Sequence, residues 1–587
     1  MVSNDIELQL KPNTIGTQKT EHDITEFDVD RKHFDCLLSR HVQTKWNHAY
    51  DFKRLDIEPR LVEALRMYNG EYPPQLLSEI KKLGMSEIYI GLGQKKVIGI
   101  SAKLYDTIFR EKIIWDLSPT PLPDLSDEDN LIIQQTVEEE TLAQIQPLLE
   151  IMQNSPPESQ LLMQQQIAKI MKEATAEFQE KIEKASYDLA KKKADKMSTK
   201  IYDEFVRGRV YDEISKFLQY YVRYSFAVLK FPVYKKCKVR KYTKDYDPIV
   251  IEEIIQTAEA VNPFDIYYPS DTTNLSEGEV FQRHKISKMS LQKLIGMKGY
   301  DEKAIRHLLS SYPKGYQISE NANESVRNDL EKFSPISIYE SELYDTIEFW
   351  GNADGKDLIE WGYKGKTEID KDMAYRVNVW IINGVIIKAV LNPDDVYGLN
   401  PYFSESYVSN PDGVAGFGVM DIFKDIEYAF NAVSRSIINN AAFASGPISV
   451  VNEDMLPRGG DGRAVKIHPY QVLYKRNNFS NEKAIDFYQA EFVANGLIGV
   501  ASFYQAMGDE VTIPKQSYGE GGGQTETASG MSMLQQAANV LLEYALTRIY
   551  ENIIYPIVEM KYHYLLNMMT MRALKVIYKY HQFNTRI

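Results

Sequence analysis

The sequence is short of the residues on which several functional classes depend. Two cysteines, Cys36 and Cys237, serve 587 residues and form no C-x-x-C pair. That excludes a disulfide framework and a zinc knuckle, and fits a reducing compartment. No uncharged apolar run approaches the roughly 18 residues that cross a bilayer; the best candidate, VWIINGVIIKAVL from Val379, is broken by Asn383-Gly384 and Lys388. The opening stretch, MVSNDIELQLKPNTIGTQKT, lacks an apolar signal segment, so a soluble chain made in the cytoplasm is expected. Positive charge is in the minority: 68 Lys and Arg stand against 82 Asp and Glu, a net charge of −14. A protein that grips nucleic acid by neutralising phosphates needs the opposite balance.

A lysine is missing where a phosphate-binding loop would need one. In KQSYGEGGGQTETASGMSMLQQAANVLLE, Lys515 to Glu543, the glycines Gly519, Gly521, Gly522 and Gly523 lead into Gln524 and Thr525. A P-loop ends in Lys followed by Ser or Thr. Without that cation, the composition predicts a flexible loop, since glycine opens the left-handed backbone at no steric cost. Other candidates for chemistry fail in the same way. His33, His41 and His48 lack the HxxxH spacing of a helical metal pair and a cysteine partner pair. GLGQKKVIG, from Gly91 to Gly99, lacks the third glycine and following acid of a dinucleotide fingerprint. Asp124 with Asp127, and Glu138 to Glu140, sit in solvated acidic runs. No catalytic residue, metal site or cofactor is expected.

What is present is a chain long enough for roughly three to four domains, with the 44% hydrophobic content of a globular protein. Residues 1–30 are polar and read as an N-terminal arm. Pro119, Pro121 and Pro123 mark an extended linker. From Leu131 to about Val206 the pattern is helical, with Ile167, Ile170, Ala174, Phe178, Ile182, Ala185 and Leu189 on one stripe. Strand character begins near YSFAVLKFPVYKK, from Tyr224, and Asn383-Gly384 between two apolar runs is a strong hairpin signal. The middle of the chain is therefore α+β.

Beyond Gly416 the pattern turns helical. Val419, Ile422, Ile426, Phe430, Val433, Ile437 and Ala441 form an expected buried stripe, with Asp421, Asp425, Arg435 and Asn439 on the other side. Gly446-Pro447 ends it. A compact β-rich insertion follows, with turn signals at Arg458-Gly459-Gly460 and a basic cluster of Arg458, Arg463, Lys466, Lys475 and Arg476. A second helix is expected from about Phe487 to Met507, striped by Val493, Leu497, Val500, Tyr504 and Met507. Gly496 and Gly499 would cost it ~1 kcal/mol each against alanine, which predicts close approach by a neighbouring backbone. After the glycine-rich loop, Met531, Leu534, Ala538, Leu541, Ala545 and Ile549 stripe a third helix, with Thr525 or Thr527 to cap it.

This order of parts resembles the portal, or head-to-tail connector, proteins of tailed double-stranded DNA phages, most of all those of short-tailed phages. GFGVMDIFKDIEYAFNAVSRSIINN with its Gly-Pro exit resembles the family's stem helix entering the clip. TETASGMSMLQQAANVLLE resembles the step from tunnel loop to long wing helix. NPFDIYYPSDTTNLSEGEVFQRHKISKMSLQKLIG resembles a wing segment, and IIWDLSPTPLPDLSDED an N-terminal stretch. The likeness spans about Met85 to Ile549; the arm matches nothing, and only about forty residues remain beyond the wing helix.

The resemblance implies an α+β portal fold. Its parts would be an α/β wing over 31–415, completed by the helix after 527, a first stem helix over 416–446, a small β-rich clip over 447–486 and a second stem helix over 487–507. A tunnel loop over 508–526 and a long wing helix with a short crown base over 527–587 would follow. It implies no enzyme but a dodecameric ring of the chain at one capsid vertex, a virion component built in the host cytoplasm. Double-stranded DNA would pass through it, with the large terminase, a tail adaptor or head completion protein and the major capsid protein as partners and no membrane. Asp509, Glu510, Lys515, Tyr518, Gly519, Glu520, Gly521, Gly522 and Gly523 would face the channel. Arg458, Arg463, Lys466, Lys475 and Arg476 would dock partners, and Ile426, Phe430, Val433, Gly496 and Gly499 would pack the stem. The competing reading is a cytoplasmic helical scaffold without a DNA channel.

Overall fold

The computed structural model describes residues 22–23, 31–118, 190–242, 248–297, 299–319, 321–331, 342–363, 369–391, 399–446, 448–451, 485–488, 491–512 and 542–566, with isolated positions at 131, 135, 139, 184, 187, 188 and 246. It is a mixture of helix and sheet, an α+β portal fold. Most of the helical pattern expected over 131–189 lies outside the described residues.

The largest sheet has six antiparallel strands in the order β1-β8-β7-β6-β5-β4. These are β1 (His22–Asp23), β4 (Ile266–Tyr267), β5 (Val280–Ser287), β6 (Leu343–Asp354), β7 (Ala374–Ile382) and β8 (Val385–Leu391). Alternation along the strands gives it two apolar faces. Phe281, Phe349, Val377 and Val379 pack with Leu38, Val42 and Trp46 of helix α1 (Arg31–Phe52). On the reverse face Tyr344, Ile382 and Ile387 pack with Leu291, Ile305 and Leu308. The β7–β8 hairpin turns at Asn383 and Gly384, with φ of 47° and 76°. Positive φ at both central residues is the two-residue turn whose twist suits paired strands.

A second sheet holds β3 (Pro248–Val261), β2 (Ala227–Tyr242) and β9 (Tyr402–Glu405) in that order. Its inner end belongs to the main core. That core also takes helices α2 (Glu58–Asn69), α4 (Leu92–Ile108), which follows the short α3 (Pro74–Lys82), and α5 (Val210–Arg223), together with the helix over 542–566. In that last helix Ala545 and Ile549 of the expected stripe are buried; Met531, Leu534, Ala538 and Leu541 lie outside the described residues.

Helices α6 (Lys288–Lys293), α7 (Glu302–Ser311), α8 (Ala322–Leu330) and α9 (Gly355–Glu360) flank the large sheet. Two long helices then form a hairpin: α10 (Val419–Ala444) and α11 (Ala494–Val511). Between them β10 (Ile448–Val451) pairs antiparallel with β11 (Ile485–Tyr488). The second helix starts at Ala494, not 487, because Phe487 and Tyr488 pair in β11. The chain between those strands, with Arg458, Arg463, Lys466, Lys475 and Arg476, lies outside the described residues. Among the described residues, no helix is long and apolar enough to cross a membrane.

Candidate functional site

The α10–α11 hairpin is fastened to the rest of the chain by polar groups, and this corrects the expected helix face. The side chains of α10 that are buried are Val419, Met420, Phe423, Glu427, Phe430, Asn431 and Ser434. Val419 and Phe430 of the expected stripe are among them, but Ile426 and Val433 are only half-buried. The reason lies in the segment that α10 faces. Residues 85–91 run without regular structure into the start of α4, so their backbone amides need acceptors from elsewhere. Asn439 Oδ1 accepts from Ser86 N at 2.9 Å, and Asn431 Oδ1 accepts from Ile90 N at 2.7 Å. Glu427 Oε2 accepts from Gly93 N at 2.9 Å. The Arg435 guanidinium donates to the Tyr72 hydroxyl. Asn439 and Arg435, read as outward decoration, are thus docking groups.

Glu427 is fully buried. Loss of hydration pushes its carboxyl up to about 7, against the hydrogen bonds from Gly93 and Asn431 that favour the charged form. A few residues away, Asp421 is also raised by burial, while Gly418 N donates to it and Arg60 lies 3.5 Å away.

Two glycines close this joint. A β-carbon on Gly508 would stand 2.4 Å from Phe423 Cε2, and one on Gly93 would stand 3.1 Å from Met420 Sδ. Phe423 is therefore held between α4 and α11 where no larger residue fits. The close approach expected at Gly496 and Gly499 is not found among the described residues: none of them lies within 4 Å of a β-carbon built at either. The contact is made by Gly508, which the sequence analysis placed in the loop, because α11 runs on to Val511. Asp509 and Glu510 are consequently helical. Asp509 pairs with Lys96, whose side chain is almost wholly buried; Glu510 is exposed. Lys515, Tyr518, Gly519, Glu520, Gly521, Gly522 and Gly523 lie outside the described residues. At the other end Asn440 ties the helices, donating to Glu491 O at 2.9 Å and accepting from Val493 N at 3.0 Å.

A cleft of about 200 Å³ lies between α2 and the start of α10, lined by Arg60, Glu63, Met67, Phe417, Asp421 and Lys424. Its charges satisfy one another: Lys424 reaches Glu63 at 2.7 Å, and Arg60 donates to Gly416 O at 2.7 Å. Among the described residues, no group of three or more His, Cys, Asp or Glu is placed to hold a metal ion.

The opposite side of α11 is bare. Phe503 is 59% exposed, with Val500, Met507 and Val511 exposed at helical spacing beside it. Such a patch on one helix marks a surface that meets another molecule.

Of the residues that matter here, Glu427, Asn431, Lys96 and Gly508 were missed by sequence reasoning. Gly91 and Gly93 had stood out as a failed dinucleotide motif. Their spacing at a helix start was the one signal that pointed to the joint.

No curated protein matches the chain. A family model described as phage SU10 portal protein matches residues 38–573, from α1 through the hairpin and beyond the helix over 542–566. With nearly its whole length matched and a mixed helix-and-sheet fold to go with it, the chain belongs to the phage SU10 portal protein family.

Proposed function

We propose that copies of this chain close into a ring at one capsid vertex, around a channel through which double-stranded DNA enters during packaging and leaves during ejection. The observation that carries the reading is the bare apolar side of α11, with Val500, Phe503 and Val511 exposed in the single protomer. A head-to-tail contact repeated by rotation covers that surface on every copy and leaves a hole at the axis. Of the expected loop over 508–526, the part beyond the packed Gly508 and Asp509 is the segment that faces the DNA. With Asp509 engaged by Lys96, the acids left to keep that contact transient are Glu510 and Glu520. Lys515 is the cation able to touch phosphate, and Gly519 to Gly523 let the loop follow a moving surface. The basic cluster of Arg458, Arg463, Lys466, Lys475 and Arg476 between β10 and β11 docks the large terminase and then a tail adaptor. The major capsid protein surrounds the ring. Negative-stain images of the purified protein test this: closed rings with a central hole are expected, and discrete dimers would favour a scaffold instead.

A further inference from the structure

The β2–β3 ribbon outgrows the sheet that it starts in. β9 pairs with β2 only from Ala227 to Lys230, whereas β2 and β3 stay paired out to Tyr242 and Pro248. From Val233 to Tyr242 the ribbon extends about 30 Å at ~3.3 Å per residue. Its root is firm: a β-carbon on Gly208 would stand 2.3 Å from Gln256 O, and the Thr257 hydroxyl donates to Gly208 O at 2.6 Å. Its outer half is exposed along β3 from Pro248 to Glu252. A two-stranded ribbon in water is marginal unless something covers it.

The register fixes what it presents. Tyr234, Lys236, Lys238 and Arg240 alternate onto one face, and Val250, opposite Arg240, shares it. Lys236 meets Glu252 at 2.6 Å, but Lys238 is 73% exposed and lies 4.0 Å from the same carboxylate. The result is a basic face with apolar flanks on a chain of net charge −14. A complementary surface exists on the same chain. On the helix over 542–566 the outward positions include Glu543, Glu551, Tyr555 and Glu559, all exposed. Glu551 and Glu559 are about 12 Å apart along a helix at 1.5 Å per residue; Lys236 and Arg240 are about 13 Å apart along a strand.

We infer that the basic face of this ribbon grips the acidic outer face of the helix over 542–566 on the neighbouring copy. Different patches meet on the two partners, as a head-to-tail ring requires, so the inference rests on the ring reading above. Phosphate could attract the cations, but not the exposed Tyr234 and Val250 that flank them, which suit the Tyr555 side of a protein helix.

The test follows the ring species of three proteins by native mass spectrometry or analytical ultracentrifugation over a salt series. These are the wild type, Lys238→Glu with Arg240→Glu, and the same protein carrying Glu551→Lys and Glu559→Lys. The inference expects rings from the wild type, their loss or dissociation at lower salt in the first variant, and their recovery in the compensated one. Recovery also shows that the first variant folds. Wild-type rings matched in salt resistance by the first variant would overturn the inference and leave the ring reading standing, the more so if that variant lost affinity for DNA. Failure of the compensated protein to recover would reject the helix as acceptor. A wild type that never closes rings would overturn both.

Discussion

Helix α11 has two sides that obey different rules. The side turned to α10 and α4 is finished within the protomer: Gly508 is pressed on Phe423, Asp509 on the buried Lys96, and nearby Glu427 accepts from an amide of α4. The other side shows Val500, Phe503 and Val511 to water. Nothing in local composition separates the sides, since both carry apolar residues at helical spacing. What separates them is the presence of a partner in the same chain. A helix of this kind belongs half to the protomer and half to an assembly.

The comparison breaks most visibly at Glu427. Its carboxyl lies at about 7 in the folded protein against 4.5 when exposed. The folded state therefore binds a proton more tightly, and the stability tied to this group is full below about pH 4.5. It is lost as pH rises to about 7 and is flat beyond. Glu427→Gln keeps the acceptor for Gly93 N without the charge. It should raise protomer stability at pH 8 by about 3 kcal/mol, the worth of a shift of that size, and leave it nearly unchanged at pH 4. Chemical denaturation at the two pH values reads this, and a loss of stability at pH 8 would place the joint's strength in the charge.

Gly508→Val probes the packing of the same side. Its β-carbon would overlap Phe423, and overpacking of this kind costs about 2 kcal/mol, visible as a lower unfolding midpoint. On the other side, Phe503→Ser should move protomer stability by less than about 0.5 kcal/mol, as exposed substitutions do, while weakening ring formation in the same preparation. If Phe503→Ser unfolded the protomer and left assembly intact, the two sides would have been assigned the wrong way round.

How much of this was legible depended on how local the cause was. The Asn383-Gly384 hairpin could be read directly, because the turn needs positive φ at two adjacent residues and the flanking strands alternate. The long helix over Val419–Ala444 could be read from periodicity, but its buried face could not. Asn431 and Asn439 look like solvated residues until one knows that residues 85–91 bring bare amides to them, and Arg435 does until the Tyr72 hydroxyl is found against it. Gly508 was assigned to a loop for a similar reason. Glycine before a glycine-rich stretch reads as a helix end, and only the approach of Phe423 shows why the helix uses it. The family resemblance, by contrast, was carried by the order of segments along the chain, and a match over residues 38–573 bears it out.

The central claim is that the bare side of α11 is covered by another copy of the chain in a closed ring. The most direct measurement is the mass of the purified wild-type assembly under native conditions. The account predicts one discrete species at a high multiple of 67.6 kDa, with Val500 and Phe503 protected from solvent labelling in it. A defined dimer, or a ring in which those two residues label as freely as in the protomer, would contradict it.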